Sequence, residues 1–309
     1  MPELPDIELY LHALRPRIVG QTLERVRIAS PFLLRSVNPP LARIEGRRVI
    51  ALRRLGKRIV WALEEELFVV IHLMIAGRFR WHSGSDPRTD RGGQTPKTTL
   101  ASFDFSSGTL QFTEASAKKR ASLYVVHGET GLAEHDPGGL EVLEVSGEEF
   151  AVRLRLENRT LKRALTDPRL FSGIGNAYSD EILHHARLSP TQLTSNLTEP
   201  QTKQLFDSVR TVLRTSADRL VSEAGDRFPE KVTAFRPEMA VHGKYGQPCP
   251  RCGAPVQRIQ YAANECNYCA PCQTGGRLLA DRALSRLLGK DWPRSLEELE
   301  EHHAARRAT

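Results

Sequence analysis

The sequence has no cysteine before residue 249; all five lie between Cys249 and Cys272. A secreted domain stapled by disulfides would spread its cysteines through the folded regions, so this placement argues against that class. It points instead to a metal site in a reducing compartment. No run of about 18 apolar residues occurs, which excludes a membrane-spanning helix. The start, MPELPDIELY, is acidic and lacks the basic residues and apolar stretch of a signal peptide, so the expected location is the cytoplasm. Internal repeats and low-complexity tracts are also missing.

What remains is a chain of 309 residues, 40% hydrophobic and 26% charged, the composition of a globular protein long enough for two cores. The formal charge of +7 favours polyanionic partners, because neutralised phosphates release counterions, but charge alone does not single out nucleic acid.

Periodicity divides the chain. Leu4, Ile7, Leu11, Leu14 and Ile18 stand at helical spacing and predict a first helix from about Glu3 to Ile18. Short β-rich runs follow: LERVRI, RRVIAL, KRIVWAL, LFVVIHL and GRFRW, then, after a polar loop at Ser83–Lys97, LASFDF, TLQFTE and ASLYVV. This half, 1–140, predicts an antiparallel β-sandwich. A linker with Asp136-Pro137-Gly138-Gly139 ends it. Helical patterns fill 147–240: EEFAVRLRLE, TLKRALTDPRLF, NAYSDEILHHA and EPQTKQLFDSVRTVLRTSADRLVSEA. A cysteine module occupies 241–275, and a helical tail with LLADRALSRLL takes up 276–309. The fold class is therefore α+β.

In the module, Cys249-Pro-Arg-Cys252 and Cys269-Ala-Pro-Cys272 are two knuckles separated by sixteen residues. Two such knuckles complete a tetrahedral thiolate site for one structural zinc, with no open position for catalysis. Cys266-Asn-Tyr-Cys269 is also a CxxC, so Cys266 competes for a place. The proline inside both CPRCG and CAPCQ favours Cys249, Cys252, Cys269 and Cys272 as the ligands. A zinc ribbon also suits transcription or RNA-processing factors.

At the other end, Pro2 is small enough for Met1 to be removed. The secondary amine so exposed would have a pKa near about 8, leaving a usable unprotonated fraction to attack C1′ of a deoxyribose. Glu3 beside it could act as general acid-base.

Three motifs in order, MPELPDIE, GIGNAYSDEIL and CPRCG…CAPCQ, together resemble the formamidopyrimidine-DNA glycosylase / endonuclease VIII family over residues 1 to about 273. The resemblance implies a β-sandwich, a helix–two-turn–helix domain and a zinc finger, with DNA in the cleft between two lobes. It implies a bifunctional DNA glycosylase and apurinic/apyrimidinic lyase of base excision repair, acting on damaged DNA as a monomer without a small-molecule cofactor. Pro2 then matches the nucleophile, Glu3 its acid-base and Lys57, in Leu55-Gly56-Lys57, a hairpin lysine that reaches DNA and supports catalysis. His72 matches a phosphate-contacting histidine, Asn176 a phosphate-binding asparagine on a glycine-rich hairpin, and Lys162 a lysine near the lesion pocket. The alternative from another class is a non-catalytic binder of damaged or distorted DNA, for which Pro2, Glu3 and Lys57 would have no use.

The sequence also departs from the family pattern. Asp6 replaces a glutamate. His72-Leu73-Met74-Ile75 replaces HLGM, so Ile75 takes the place of the methionine that fills the gap left by a flipped base. Glu114–Ala121, with Lys118, Lys119 and Arg120, replaces the segment that supplies an arginine and an aromatic wedge. Asn264 stands for a finger arginine, and Leu220-Val221-Ser222-Glu223 for a Gly-Gly-Thr-Thr stretch. An atypical lesion is expected.

Overall fold

The computed structural model describes residues 1–84, 97–261, 264–280, 293–299 and 301. The interior of the loop expected at Ser83–Lys97, most of the LLADRALSRLL pattern and the Asn264 side chain lie outside the described residues. The chain forms two compact units: Met1–Gly139 with Thr215–Thr233, and Leu140–Arg214 with Ala234–Thr309.

In the first unit α1 spans Leu4–Ile18 and buries the five apolar positions read from its spacing. Glu3 is its N-cap. Glu3 and Asp6 form a capping box in which the Glu3 amide donates to Asp6 Oδ2 at 2.9 Å, so the shorter carboxylate at position 6 still reaches back one turn.

Eight strands follow: β1 Thr22–Ile28, β2 Arg47–Leu55, β3 Arg58–Leu63, β4 Leu67–His72, β5 Gly77–Ser83, β6 Thr99–Phe105, β7 Gly108–Glu114 and β8 Ser122–His127. Their order is β5-β7-β6-β1-β2-β3-β4-β8, antiparallel throughout. The β1–β2 ladder holds only the pairs Thr22↔Arg48 and Leu23↔Arg47, and at this narrow seam the sheet folds into the two layers of a sandwich. Trp61 of β3 meets Phe103 of β6 edge-on at 4.9 Å across the layers, and Tyr10 of α1 meets Phe79 at 5.4 Å.

RIVWAL and LFVVIHL are almost continuously apolar rather than alternating. The reason is a short helix absent from the sequence reading, α2 at Gly128–Ala133, whose Leu132 covers Val60, Ala62, Phe68 and Val70 on the outer face.

The second unit holds α3 Gly147–Leu154, α4 Leu161–Thr166, α5 Asn176–His185 and most of α6, Glu199–Ala224. Ser146 caps α3 through a capping box with Glu149. Phe150, Phe171 and Phe206 form its aromatic centre, with Phe150 at 4.7 and 5.3 Å from the other two rings. TLKRALTDPRLF is not one helix: α4 stops at Thr166, because Pro168 disfavours helical backbone at Asp167. Asp167 then accepts hydrogen bonds from Arg169 and Arg159, which hold its carboxyl well below the usual range.

The cysteine module is a hairpin, β9 Gln257–Tyr261 and β10 Asn264–Tyr268, followed by α7, Ala270–Thr274. The described part of the tail folds back on it. Leu278 and Leu279 pack with Ile259, Cys266 and Tyr268, joined by Leu296 and Leu299, and the Leu279 amide donates to Tyr268 Oη at 2.7 Å.

Candidate active site and phosphate-binding residues

Three sequence-predicted residues of the first unit share one electrostatic neighbourhood. Glu3 is 2% exposed, fixed by its place at the start of α1. Lys57 lies in the two-residue turn left by the Leu55↔Arg58 pair, with Gly56 at φ 61°, the positive φ such a turn requires at its first position. Burial pushes the Lys57 ammonium below the ordinary lysine value, and Glu3 opposes that shift.

His72 ends β4, opposite Arg58 on one side and Ser122 on the other. Burial, then the charges of Arg58, Lys57 and the N-terminus, bring its pKa down to about 4, so the imidazole is neutral at physiological pH. The N-terminal amine itself is lowered by burial. Glu3 and Asp6 raise it; Arg78 and Lys57 lower it.

Arg78 is a residue that sequence reasoning missed, since an arginine in GRFRW reads as one polar position on a strand. Its Nη1 donates to the carbonyls of Ile75 at 3.1 Å and Gly77 at 2.7 Å, so it also pins the turn before β5.

That turn lies beside the β7–β8 loop. The ladder pairs His72↔Ser122 and Gly77↔Glu114 bracket both, placing Leu73–Ala76 next to Ala115–Ala121. Ile75 is 61% exposed. Met74 adopts φ 53°, a conformation that suits glycine. Gly77 admits no side chain, because an added Cβ would stand 2.2 Å from the Leu73 carbonyl oxygen.

Glu114, 1% exposed, organises the loop: its carboxylate accepts the amides of Arg120 at 3.1 and 3.0 Å and of Ala121 at 3.3 Å. Lys119 caps the Glu114 carbonyl, so the cationic trio divides: Lys119 serves the loop while Lys118 and Arg120 face solvent. Leu220–Glu223 form no glycine loop. They are the last turns of α6, with Leu220 in the core.

In the second unit, Asn176 opens α5 after Gly173-Ile174-Gly175, with Gly173 at φ 80°. Its Nδ2 donates to the Glu265 carbonyl at 2.9 Å. Lys162 is not an exposed helix lysine. Its side chain is 12% exposed, and Nζ lies 2.5 Å from Asp180 Oδ1 and 2.6 Å from the Asn176 carbonyl oxygen. Asp180 Oδ2 also meets His242 Nδ1 at 2.8 Å. Glu181 accepts the amides of Ala240, Val241 and His242 at 2.8 to 2.9 Å, so α5 anchors the entry to the cysteine module.

The sulfurs of Cys249, Cys252, Cys269 and Cys272 lie within 4.8 Å of one another. Cys249–Cys272 is 4.0 Å and Cys252–Cys269 3.4 Å, bracketing the roughly 3.8 Å edge of a tetrahedron with metal–sulfur bonds of about 2.3 Å. The four residues therefore fit a zinc ion. Cys266 lies apart, buried with Ile259 and Tyr268, and burial pushes its thiol well up.

Comparison with known proteins places these features. The formamidopyrimidine-DNA glycosylase N-terminal domain matches residues 1–119, and the H2TH domain of the same glycosylase matches 141–223. The chain is 34% identical to formamidopyrimidine-DNA glycosylase of Thermus thermophilus over 290 residues, covering 89% of this chain and 100% of that protein. It is 30% identical to the Neisseria meningitidis protein of that name, over 88% of this chain and 100% of the relative. The crystal structure of MutM (Fpg) from Thermus thermophilus superposes with a TM-score of 0.74 at 33% identity, covering 88% of this chain and 98% of that one. The Lactococcus lactis Fpg complex with abasic-site DNA gives 0.75 at 23% identity, over 88% and 99%, a likeness of fold. With both domains matched and a relative 34% identical over its whole length, the chain belongs to the formamidopyrimidine-DNA glycosylase family.

Proposed function

We propose that this protein is a bifunctional DNA glycosylase and apurinic/apyrimidinic lyase of base excision repair. The observation that carries the reading is the place of Pro2 and buried Glu3 at the start of α1, with Glu3 acting electrostatically on both Lys57 and the Met1 amine that precedes Pro2. Removal of Met1 leaves the Pro2 nitrogen as a secondary amine next to Glu3, and the ordinary α-amino pKa, about 8, leaves a usable fraction of it unprotonated at neutral pH.

In the proposed reaction Pro2 attacks C1′ of the damaged nucleotide and the base leaves with the C1′–N bond. The Pro2 nitrogen, having given up its proton, then uses its lone pair to break the C1′–O4′ bond, which opens the sugar and leaves an iminium at C1′. Glu3 moves the protons of ring opening, and successive eliminations of the phosphates cut the strand. Lys57 and neutral His72 hold phosphate from the turn and strand end, the first by charge and the second as a hydrogen-bond donor. Asn176 and the N-terminus of α5 supply a further phosphate contact, with Lys162 bracing it through the Asn176 carbonyl. Zinc at the four cysteines supplies a structural cross-link and takes no part in the chemistry.

The rim beside His72 bears on the substrate. Base extrusion costs a few kcal/mol, least for mismatched, damaged or unpaired sites. Here one aliphatic side chain, Ile75, stands out from the turn, and its neighbouring loop offers Lys118 and Arg120 with no aromatic. The reading is an enzyme suited to sites already open: abasic sites, bubbles, single strands and distorting lesions.

The test is borohydride trapping on abasic DNA, with excision of one lesion timed in a matched duplex, a bubble and a single strand at fixed salt. A covalent adduct at Pro2, strongly reduced by Pro2→Gly, is expected, with faster excision from the open forms. An adduct on an internal lysine of the wild-type chain would falsify the nucleophile. Equal or faster cutting of the matched duplex overturns the preference for open sites.

A further inference from the structure

The four-cysteine site has a neighbour on α5. His184 lies on the last turn of that helix and is 4% exposed. Its Nε2 stands 3.2 Å from Cys249 Sγ, and its backbone carbonyl accepts from Arg251 Nη1 at 3.2 Å. Cys249 is buried, so water cannot serve its sulfur as it can that of exposed Cys252. A metal-bound thiolate has no proton to give. The contact therefore requires the hydrogen on Nε2, and the ring donates.

Four thiolates around a divalent zinc carry a net charge of about −2, which is costly where solvent is excluded. A buried N–H pointed at one sulfur withdraws part of that charge.

We propose that His184 is a positioning residue of the cysteine site: its Nε2–H donates to Cys249 Sγ, stabilises the four-thiolate cluster and ties it to the helix that begins at Asn176. The same helix also meets the module through Asn176 Nδ2, which donates to the Glu265 carbonyl at 2.9 Å, and through Asp180 and Glu181 at its entry; beyond the end of the helix, Gln273 Nε2 donates to the Leu188 carbonyl at 2.9 Å. Gln273 Oε1 in turn accepts the Cys269 amide at 2.8 Å. The helix thus reaches the first knuckle through His184, and the segment that follows it reaches the second through Leu188 and Gln273. The proposal rests on the zinc reading above.

The test compares the full-length wild type with His184→Phe, which keeps a flat ring without a donor, and His184→Gln, whose amide restores one. Zinc content, zinc affinity by competition with a chromophoric chelator, and the charge-transfer band of the cobalt(II)-substituted protein are measured. Outer partners of metal ligands are typically worth about 10- to 100-fold in affinity. His184→Phe should bind zinc about 10-fold more weakly and shift the cobalt–thiolate band to lower energy, as expected for a more electron-rich sulfur; His184→Gln should recover most of both. If His184→Phe does not fold, His184→Met provides the donor-free comparison. Wild-type affinity and an unmoved band in a folded donor-free variant overturn the proposal while leaving the zinc reading intact. A wild-type chain that binds no zinc overturns both.

Discussion

Substituting Asp180 by asparagine keeps the shape of the side chain and removes its charge. Asp180 is 0% exposed and holds Lys162, 12% exposed, at 2.5 Å. Breaking a buried ion pair by removing one partner costs about 3–5 kcal/mol, because the other charge is left unpaired. Lys162 keeps its bond to the Asn176 carbonyl, which places the expected loss near the lower end, about 3 kcal/mol. At about 2–4 °C per kcal/mol for a unit of this size, the melting temperature should fall by roughly 6–12 °C. Thermal unfolding of wild type, Asp180→Asn, Lys162→Met and the double variant closes the cycle. The double variant should be less damaged than the sum of the singles, with a coupling of about 2 kcal/mol. Affinity for abasic DNA should fall in parallel, since the same pair braces the first turn of α5. An Asp180→Asn protein within about 1 kcal/mol of wild type would refute the reasoning, because the pair would then behave as an exposed one.

Three further outcomes follow from single residues. His72 has a folded pKa of about 4, so between about pH 6.5 and 4 the unfolded chain binds a proton that the folded one refuses. Its contribution is fully present above that window and lost as pH falls through it, by up to about 3 kcal/mol; His72→Gln should flatten the slope, and NMR titration near 6.5 in the native protein would contradict it. Met74→Gly should stabilise the protein by up to about 1 kcal/mol in denaturant titrations, by relieving a side chain held at φ 53°. One zinc per chain should be found and should be lost on Cys249→Ser, Cys252→Ser, Cys269→Ser or Cys272→Ser but retained by Cys266→Ser; the reverse pattern for Cys266 and Cys272 would reassign the ligands.

The sequence by itself determined what local patterns can carry. Helical spacing in LPDIELYLHALRPRI, the β-rich runs from LERVRI onward and the 26 residues Glu199–Ala224 all became the elements their periodicity dictates, because side-chain direction repeats with the backbone. The spacing left Cys266 and Cys272 both in CxxC pairs with Cys269, the proline shared by CPRCG and CAPCQ favoured Cys272, and it is Cys272 that lies in the cluster of four sulfurs. Tertiary structure decided what depends on distant partners. The partner that holds Lys162 is Asp180, 18 positions on, a pairing that no local pattern records. Arg78 and Glu114 carry no sequence signal. Their roles arise only where ladder register sets the Ile75 turn beside the loop Ala115–Ala121. His184 lies 65 positions from the sulfur it faces, a proximity that no local pattern records and that packing of α5 against the cysteine module creates.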